Sequence, residues 1–478
     1  MLSIIERIPP PPSPRKEDSG SRALWPWLLG AGCLIVILAG LRLPRAGHAP
    51  AAQSSPTNVA PQTAAGNAAD LDPAGRPIRF QSSEPAPDAQ EIVAGKVSRF
   101  AYDRLGVVRA MAEHYKVEVP KDVELFFAAA EAGRWQEVKD LFDSLGKLRR
   151  SAESPEGFET LWPAILETYG VAEAAHDWPA QKLLDCGQAV LGSLRPGMVY
   201  VGGTDGGCFI PTMLNETSDG ERHVVLTQNA LADGSYAEYL RFLYGDRMTT
   251  LTPEDSQRAF QDYMTDAQKR LAHDQQFPDE PKQLRPGEDV RFTDNRLQVS
   301  GQVAVMAINE NLLQMIMDKN PNLPFALEES FPFKSTYASA APLGPIMELR
   351  VPDAQQAFTA DAAAQAVDYW RAATQSLLAG SDTPGDAETR EEYAKMAVAQ
   401  ASLLADHNFT TEADQAYRLA TDIGPSNSGA VLSYVNFLSG QKRFADAIPV
   451  LETAANAAPD NQQFYSLLQA LKRAAGRN

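Results

Sequence analysis

Cysteine is scarce, with only Cys33, Cys186 and Cys208 in 478 residues, too few for a disulfide-built scaffold. Histidine is scarce too, and the six residues at 48, 114, 176, 223, 273 and 407 show no metal-ligand spacing, so no metal is expected. Basic residues are outnumbered 43 to 61 by acidic ones, and the formal charge of −18 argues against a nucleic-acid partner. No G-x-S-x-G elbow and no G-x-x-x-x-G-K-[ST] loop is present. These absences leave no catalytic residue and no cofactor to assign. What remains is a globular composition, 44% hydrophobic and 22% charged, in a chain long enough for several domains.

Charge itself is missing from one stretch. Residues 23–41 (ALWPWLLGAGCLIVILAGL) are 19 uncharged positions, which at ~1.5 Å per residue nearly match the ~30 Å hydrocarbon thickness of a bilayer. Arg22 and Arg42 bracket the run, and Trp25 and Trp27 suit a membrane interface. The segment reads as a single transmembrane helix acting as a signal-anchor. Cleavage as a signal peptide is the rival reading, but the long charged N-region fits an uncleaved anchor better. Arg7, Arg15, Lys16 and Arg22 precede the span, against Arg42 and Arg45 after it. Residues 1–22 are therefore expected in the cytoplasm, and the bulk of the chain in the periplasm, anchored in the inner membrane. Residues 44–88, rich in Ala, Pro, Ser and Gln, read as a disordered tether.

At the other end of the chain a period emerges. Ala413, Tyr417, Ala420 and Pro425 recur 34 residues later as Ala447, Leu451, Ala454 and Pro459, and Leu404 and Asn427 map onto Leu438 and Asn461. Small residues let two helices approach, large ones fill the groove, and proline closes each hairpin. The segments 387–421 and 428–458 resemble tetratricopeptide repeats, with a capping helix near 461–475, although neither carries the family's tryptophan or its mid-helix glycine. Residues 353–478 are assigned to this helical region. A looser hairpin at 122–148, punctuated by Gly133, belongs to a helical lead-in over 89–194.

Between 195 and 352 the pattern alternates between apolar β-prone runs and helices, which predicts an α/β domain with partly parallel pairing. The expected fold is thus mostly α with a central α/β domain. Met198–Val201 runs into a glycine-rich turn, Gly202 to Gly207, and then a helix. Successive N–H groups there could hold an anion. The spacing is not G-x-G-x-x-G, and Asp205 would repel a phosphate, so its simpler role is a turn or N-cap acceptor. The candidate ligand contacts are Gly203, Thr204, Asp205 and Gly206, with Glu328 and Glu329 at a strand end where α/β sheets bind ligands. Neighbours on a strand face opposite ways, so at most one glutamate can meet Asp205; solvated surface acids are the simpler reading of both. Cys186 and Cys208 could form one disulfide in an oxidising compartment, Cys208 could be an activated thiolate at a helix start, and two buried thiols are the default.

The segments GMVYVGGTDGGCFIPTMLNET, HVVLTQNALADGSYAEYLRFLYG and NENLLQMIMDKNPNLPFALEESFPF…PLGPIMELR together resemble an extramembrane domain of unknown function found in bacterial polytopic proteins with glycosyltransferase-like membrane regions. The resemblance implies a membrane-proximal domain near cell-envelope glycans. It carries over no catalytic residue. The expected function is a membrane-anchored scaffold that binds proteins through its helical repeats. The alternative is a glycan-binding or glycan-processing domain acting at the glycine turn.

Overall fold

Helix follows helix from Ala89 to Leu191, and the reason is periodic burial. In α1 (Ala89–Tyr115) the buried positions Val93, Val97, Phe100, Arg104, Val108 and Met111 recur every three or four residues. Helices α2 (Lys121–Glu131), α3 (Trp135–Arg149), α4 (Trp162–Asp177) and α5 (Ala180–Leu191) complete the lead-in. This computed structural model describes residues 88–475, apart from 286, 294–295, 330, 352–357 and 380–385. The N-terminal segment 1–22, the expected membrane helix 23–41 and all but Asp88 of the tether 44–88 lie outside the described residues. Among the described residues no helix is long and apolar enough to cross a membrane.

The described residues are mostly helical with one small mixed sheet. Strands β1 (Val199–Gly202) and β2 (Val224–Thr227) are joined through α6 (Gly206–Glu216). After β2 come α7 (Gly234–Tyr244), α8 (Pro253–Gln276), an antiparallel hairpin of β3 (Asp289–Thr293) and β4 (Arg296–Ser300), and α9 (Gln302–Lys319). The sheet is closed by β5 (Phe325–Leu327), β6 (Ala341–Leu343) and β7 (Ile346–Leu349), in the order β2-β1-β5-β7-β6. The first three strands are parallel and the last two antiparallel. Helix α8 is an element the sequence reading did not place, although Thr252 and Asp255 form a capping box around Pro253 at its start.

Both faces of the sheet are covered, which is why β1 is buried along its whole length. Val199, Val201, Leu226 and Phe325 face one core, and Tyr200, Val225 and Ala326 face the other. The second core also takes Cys186 from α5 and Ala394, Met396 and Ala397 from a helix beyond residue 385. This core thus joins helices from before and after the sheet to the sheet itself, and the chain from Ala89 onward belongs to one compact unit.

Helix α10 (Ala360–Leu378) precedes an array of α11 (Asp386–Asp406), α12 (Thr410–Ile423), α13 (Ser428–Gly440), α14 (Phe444–Ala457) and α15 (Gln462–Ala475). The 34-residue period is present in the backbone as well as in the sequence. Asn408 and Lys442 turn with φ of 64° and 63°. One residue on, Phe409 N–H donates to Leu404 O and Arg443 N–H to Leu438 O, each at 2.9 Å. Ala413, Tyr417 and Ala420 are buried, as are their counterparts Ala447, Leu451 and Ala454. The lead-in hairpin repeats this turn, with Gly133 at φ 67° and Arg134 N–H donating to Ala129 O at 3.0 Å. Glycine reaches that φ without strain, whereas Asn408 and Lys442 hold it at some cost.

Candidate functional site: a charge cluster at the strand ends

Strand β1 sits between β2 and β5, so its carboxyl end is where the connections leave the sheet in opposite directions, the usual ligand crevice of such sheets. The glycine turn and Glu328 meet there. Gly203 N–H, a group that could have held an anion, donates instead to Glu328 Oε2 at 3.0 Å. Asp205 occupies the N-cap position of α6, but its side chain makes no capping bond. It turns to Lys395 of α11. The Lys395 ammonium lies 2.6 Å from Asp205 Oδ2, 2.8 Å from Glu328 Oε1 and 2.7 Å from Glu392 Oε1. Three carboxylates from three stretches of chain thus surround one lysine.

The glycines explain the close approach. A Cβ at Gly207 would stand 2.6 Å from Glu392 Oε1 and 2.7 Å from Glu328 Cδ, so only a bare Cα fits beneath the two acids. At Gly206 a Cβ would press on Trp178 at 3.0 Å. Thr204 stands aside from the cluster and accepts a bond from Asn229 Nδ2 at 3.1 Å. The turn is shaped to receive α11.

Burial governs the titration of the cluster. The Glu328 side chain is fully buried, while Asp205 and Lys395 keep 23% of their side-chain surface at the mouth. Burial raises the Glu328 pKa against the pull of Lys395. Burial, then the Asp205 charge, pushes Glu392 well above the ordinary carboxyl value. Burial works against the Lys395 charge, but Asp205, Glu328 and Glu392 outweigh it, so the ammonium stays protonated. Oxygens of the three acids lie within 4.8 Å of one another. The cation among them in this structure is the protein's own ammonium, that of Lys395.

Several expectations are corrected here. Glu328 and Glu329 are not solvated surface acids; they are 1% and 6% exposed. Alternation along β5 separates them as the pleat requires, so Glu328 meets Asp205 and Glu329 faces away. Glu329 accepts from Phe333 N–H at 2.8 Å and from Tyr337 OH at 2.6 Å, and burial lifts its pKa to about 7 against those bonds. The disulfide does not form: Cys186 and Cys208 are both free and buried. Nor is Cys208 an activated thiolate. Burial raises its pKa, and its sulfur sits near Thr227 Oγ1 at 3.7 Å.

Sequence reasoning missed Lys395 and Glu392. Their three-residue spacing looks like an ordinary surface ion pair on a helix, and nothing local says that α11 is buried on nearly all sides. Two surface grooves lie elsewhere. One of about 660 Å³ is lined by Lys96, Gln188, Asp219 and His223, and one of about 590 Å³ by Arg241, Arg247, Lys319 and Asn322. Neither is lined by Gly203, Asp205 or Glu328. The chain matches no family model, no curated protein and no solved structure.

Proposed function

We propose that this chain is a scaffold of the cell envelope, held to the inner membrane by residues 23–41, that binds protein partners through its C-terminal helical array. The observation that carries the reading is the shared turn at Asn408 and Lys442, 34 residues apart, which supports a tetratricopeptide-like stack over an unrelated pair of hairpins. Stacked hairpins of this kind present extended surfaces to peptides and proteins. The resemblance to extramembrane domains of glycosyltransferase-like membrane proteins supports a membrane-proximal place. A glycan site at the glycine turn has less support, because Asp205 and Glu328 are paired with Lys395.

The test is site-specific photo-crosslinking in whole cells. A photoreactive residue at exposed Asn436 or Tyr465 on the array should capture protein partners. The same residue at exposed Asp219 or Arg258 should not. Capture from Asp219 or Arg258 alone, or from none of the four, would overturn the reading.

A further inference from the structure

The cluster at the strand ends cannot be electrically balanced if every group is ionised. Asp205, Glu328 and Glu392 would bring three negative charges to the single positive charge of Lys395. An uncompensated charge in such a site is strongly unfavourable, so a proton is the cheapest remedy. Among the described residues the groups packed around it offer no second cation, and Glu391 of α11 and Glu329 beyond β5 add further acids nearby. Tyr200 of β1 donates to Gly207 O, Cys208 of α6 and Cys186 of α5 lie behind, and burial keeps all three neutral. The cluster also sits at a junction. Its lysine and one acid belong to α11, the first helix of the array, and its other two acids to the α/β layer. On the same helix Gln400 Nε2 donates to Gly344 O at 2.6 Å, and just past its end His407 Nε2 lies 2.7 Å from Tyr337 O.

We propose that this junction is a proton-dependent latch: Glu328 and Glu392 share one bound proton around Lys395 while the junction is closed, and its loss as pH rises loosens α11 from the strand ends. The proposal stands apart from partner binding and holds whether or not the array binds proteins. The direction follows from burial, which holds both glutamates above the ordinary carboxyl value of 4.5. A group raised in the folded state stabilises fully below its unfolded pKa and loses that contribution as pH climbs through the folded value. Loosening therefore comes with alkaline pH and not with acid.

The experiment is hydrogen exchange on the full-length protein, read as protection factors between about pH 5 and about pH 9. In the unaltered protein, protection of residues 203–208 and 386–406 should fall by about tenfold per pH unit over the range in which the folded junction keeps its proton and the opened one does not. Glu392→Gln and Glu328→Gln each leave two carboxylates around one lysine and need no proton. Either should flatten that slope and keep the junction closed at high pH. Glu329→Gln, which titrates on the opposite face, should leave the slope in place. An unchanged slope in both Glu392→Gln and Glu328→Gln would overturn the latch. So would a slope abolished by Glu329→Gln alone, or a loss of protection spread evenly over the whole chain.

Discussion

Helices α12 to α15 and the strand ends of the α/β layer both fasten a helix to a neighbour, and they do it with opposite chemistry. Along the array the seams are mainly apolar and short-range, with Ala413, Tyr417 and Ala420 in one hairpin and Ala447, Leu451 and Ala454 in the next, and their few polar ties join neighbouring helices. Where α11 meets the sheet the seam adds ions and amides, and Lys395 reaches an aspartate 190 residues away in the chain. An apolar nearest-neighbour seam can be lost one helix at a time. A buried ion cluster fails together, because losing one member leaves the others unpaired.

The largest effect that would break this contrast comes from Leu451→Ala. Its side chain is fully buried at the centre of the second hairpin, and truncation should cost about 2–5 kcal/mol in chemical unfolding. Exchange should rise in α14 and α15 while β1 stays protected. Equal loss of protection in β1 would mean that the array and the sheet unfold as one, and the distinction between the seams would disappear.

A smaller effect sharpens the other side. Glu329→Gln keeps an acceptor for Phe333 N–H and mimics the protonated acid, so it should match the unaltered protein near pH 5. The Glu329 pKa is raised from 4.5 to about 7, so its stabilisation is present at low pH and is lost as pH rises through that range. Near pH 8 the variant should therefore be the more stable protein, by about 1–3 kcal/mol in urea unfolding. A variant less stable at every pH would show that the carboxylate is held charged and that burial does not set its titration.

What could be read from the sequence follows the same divide. The array was legible because each of its contacts repeats at a fixed separation, so Ala413 and Ala447 announce the same packing twice. Strands β1 and β2 were legible from the short apolar runs VYVG and VVLT, whose residues are all buried, whereas β6, half-buried throughout, was not placed. The meeting of Asp205 with Glu328 was half legible, since alternation on β5 allows only one glutamate toward the turn. Lys395 was not, because the reason for its burial lies in residues 205 and 328 and in no pattern around it. Helix α8 was passed over despite its capping box, for it belongs to no repeat and has a largely polar surface.

The smallest prediction compares two capping asparagines one period apart. Asn427 Oδ1 accepts from Ala430 N–H at 2.7 Å, and its amide donates to Glu391 of α11 at 2.9 Å, so it ties the second hairpin to the first. Asn461 Oδ1 accepts from Gln463 N–H at 3.1 Å, and its amide donates to Ser428 at 3.1 Å, nearer the end of the array. Both fill the same place in the repeat, but only Asn427 is buried. Asn427→Ala should cost about 1–2 kcal/mol in equilibrium unfolding, toward the upper end for a cap, because a buried N–H and a partly buried carboxylate lose a partner. Asn461→Ala should cost only about 0.5 kcal/mol, since water can replace the lost bonds at an exposed end. Equal costs would mean that distance from the α/β layer has no bearing on a seam's strength, and that the array is uniform from its junction to its tip.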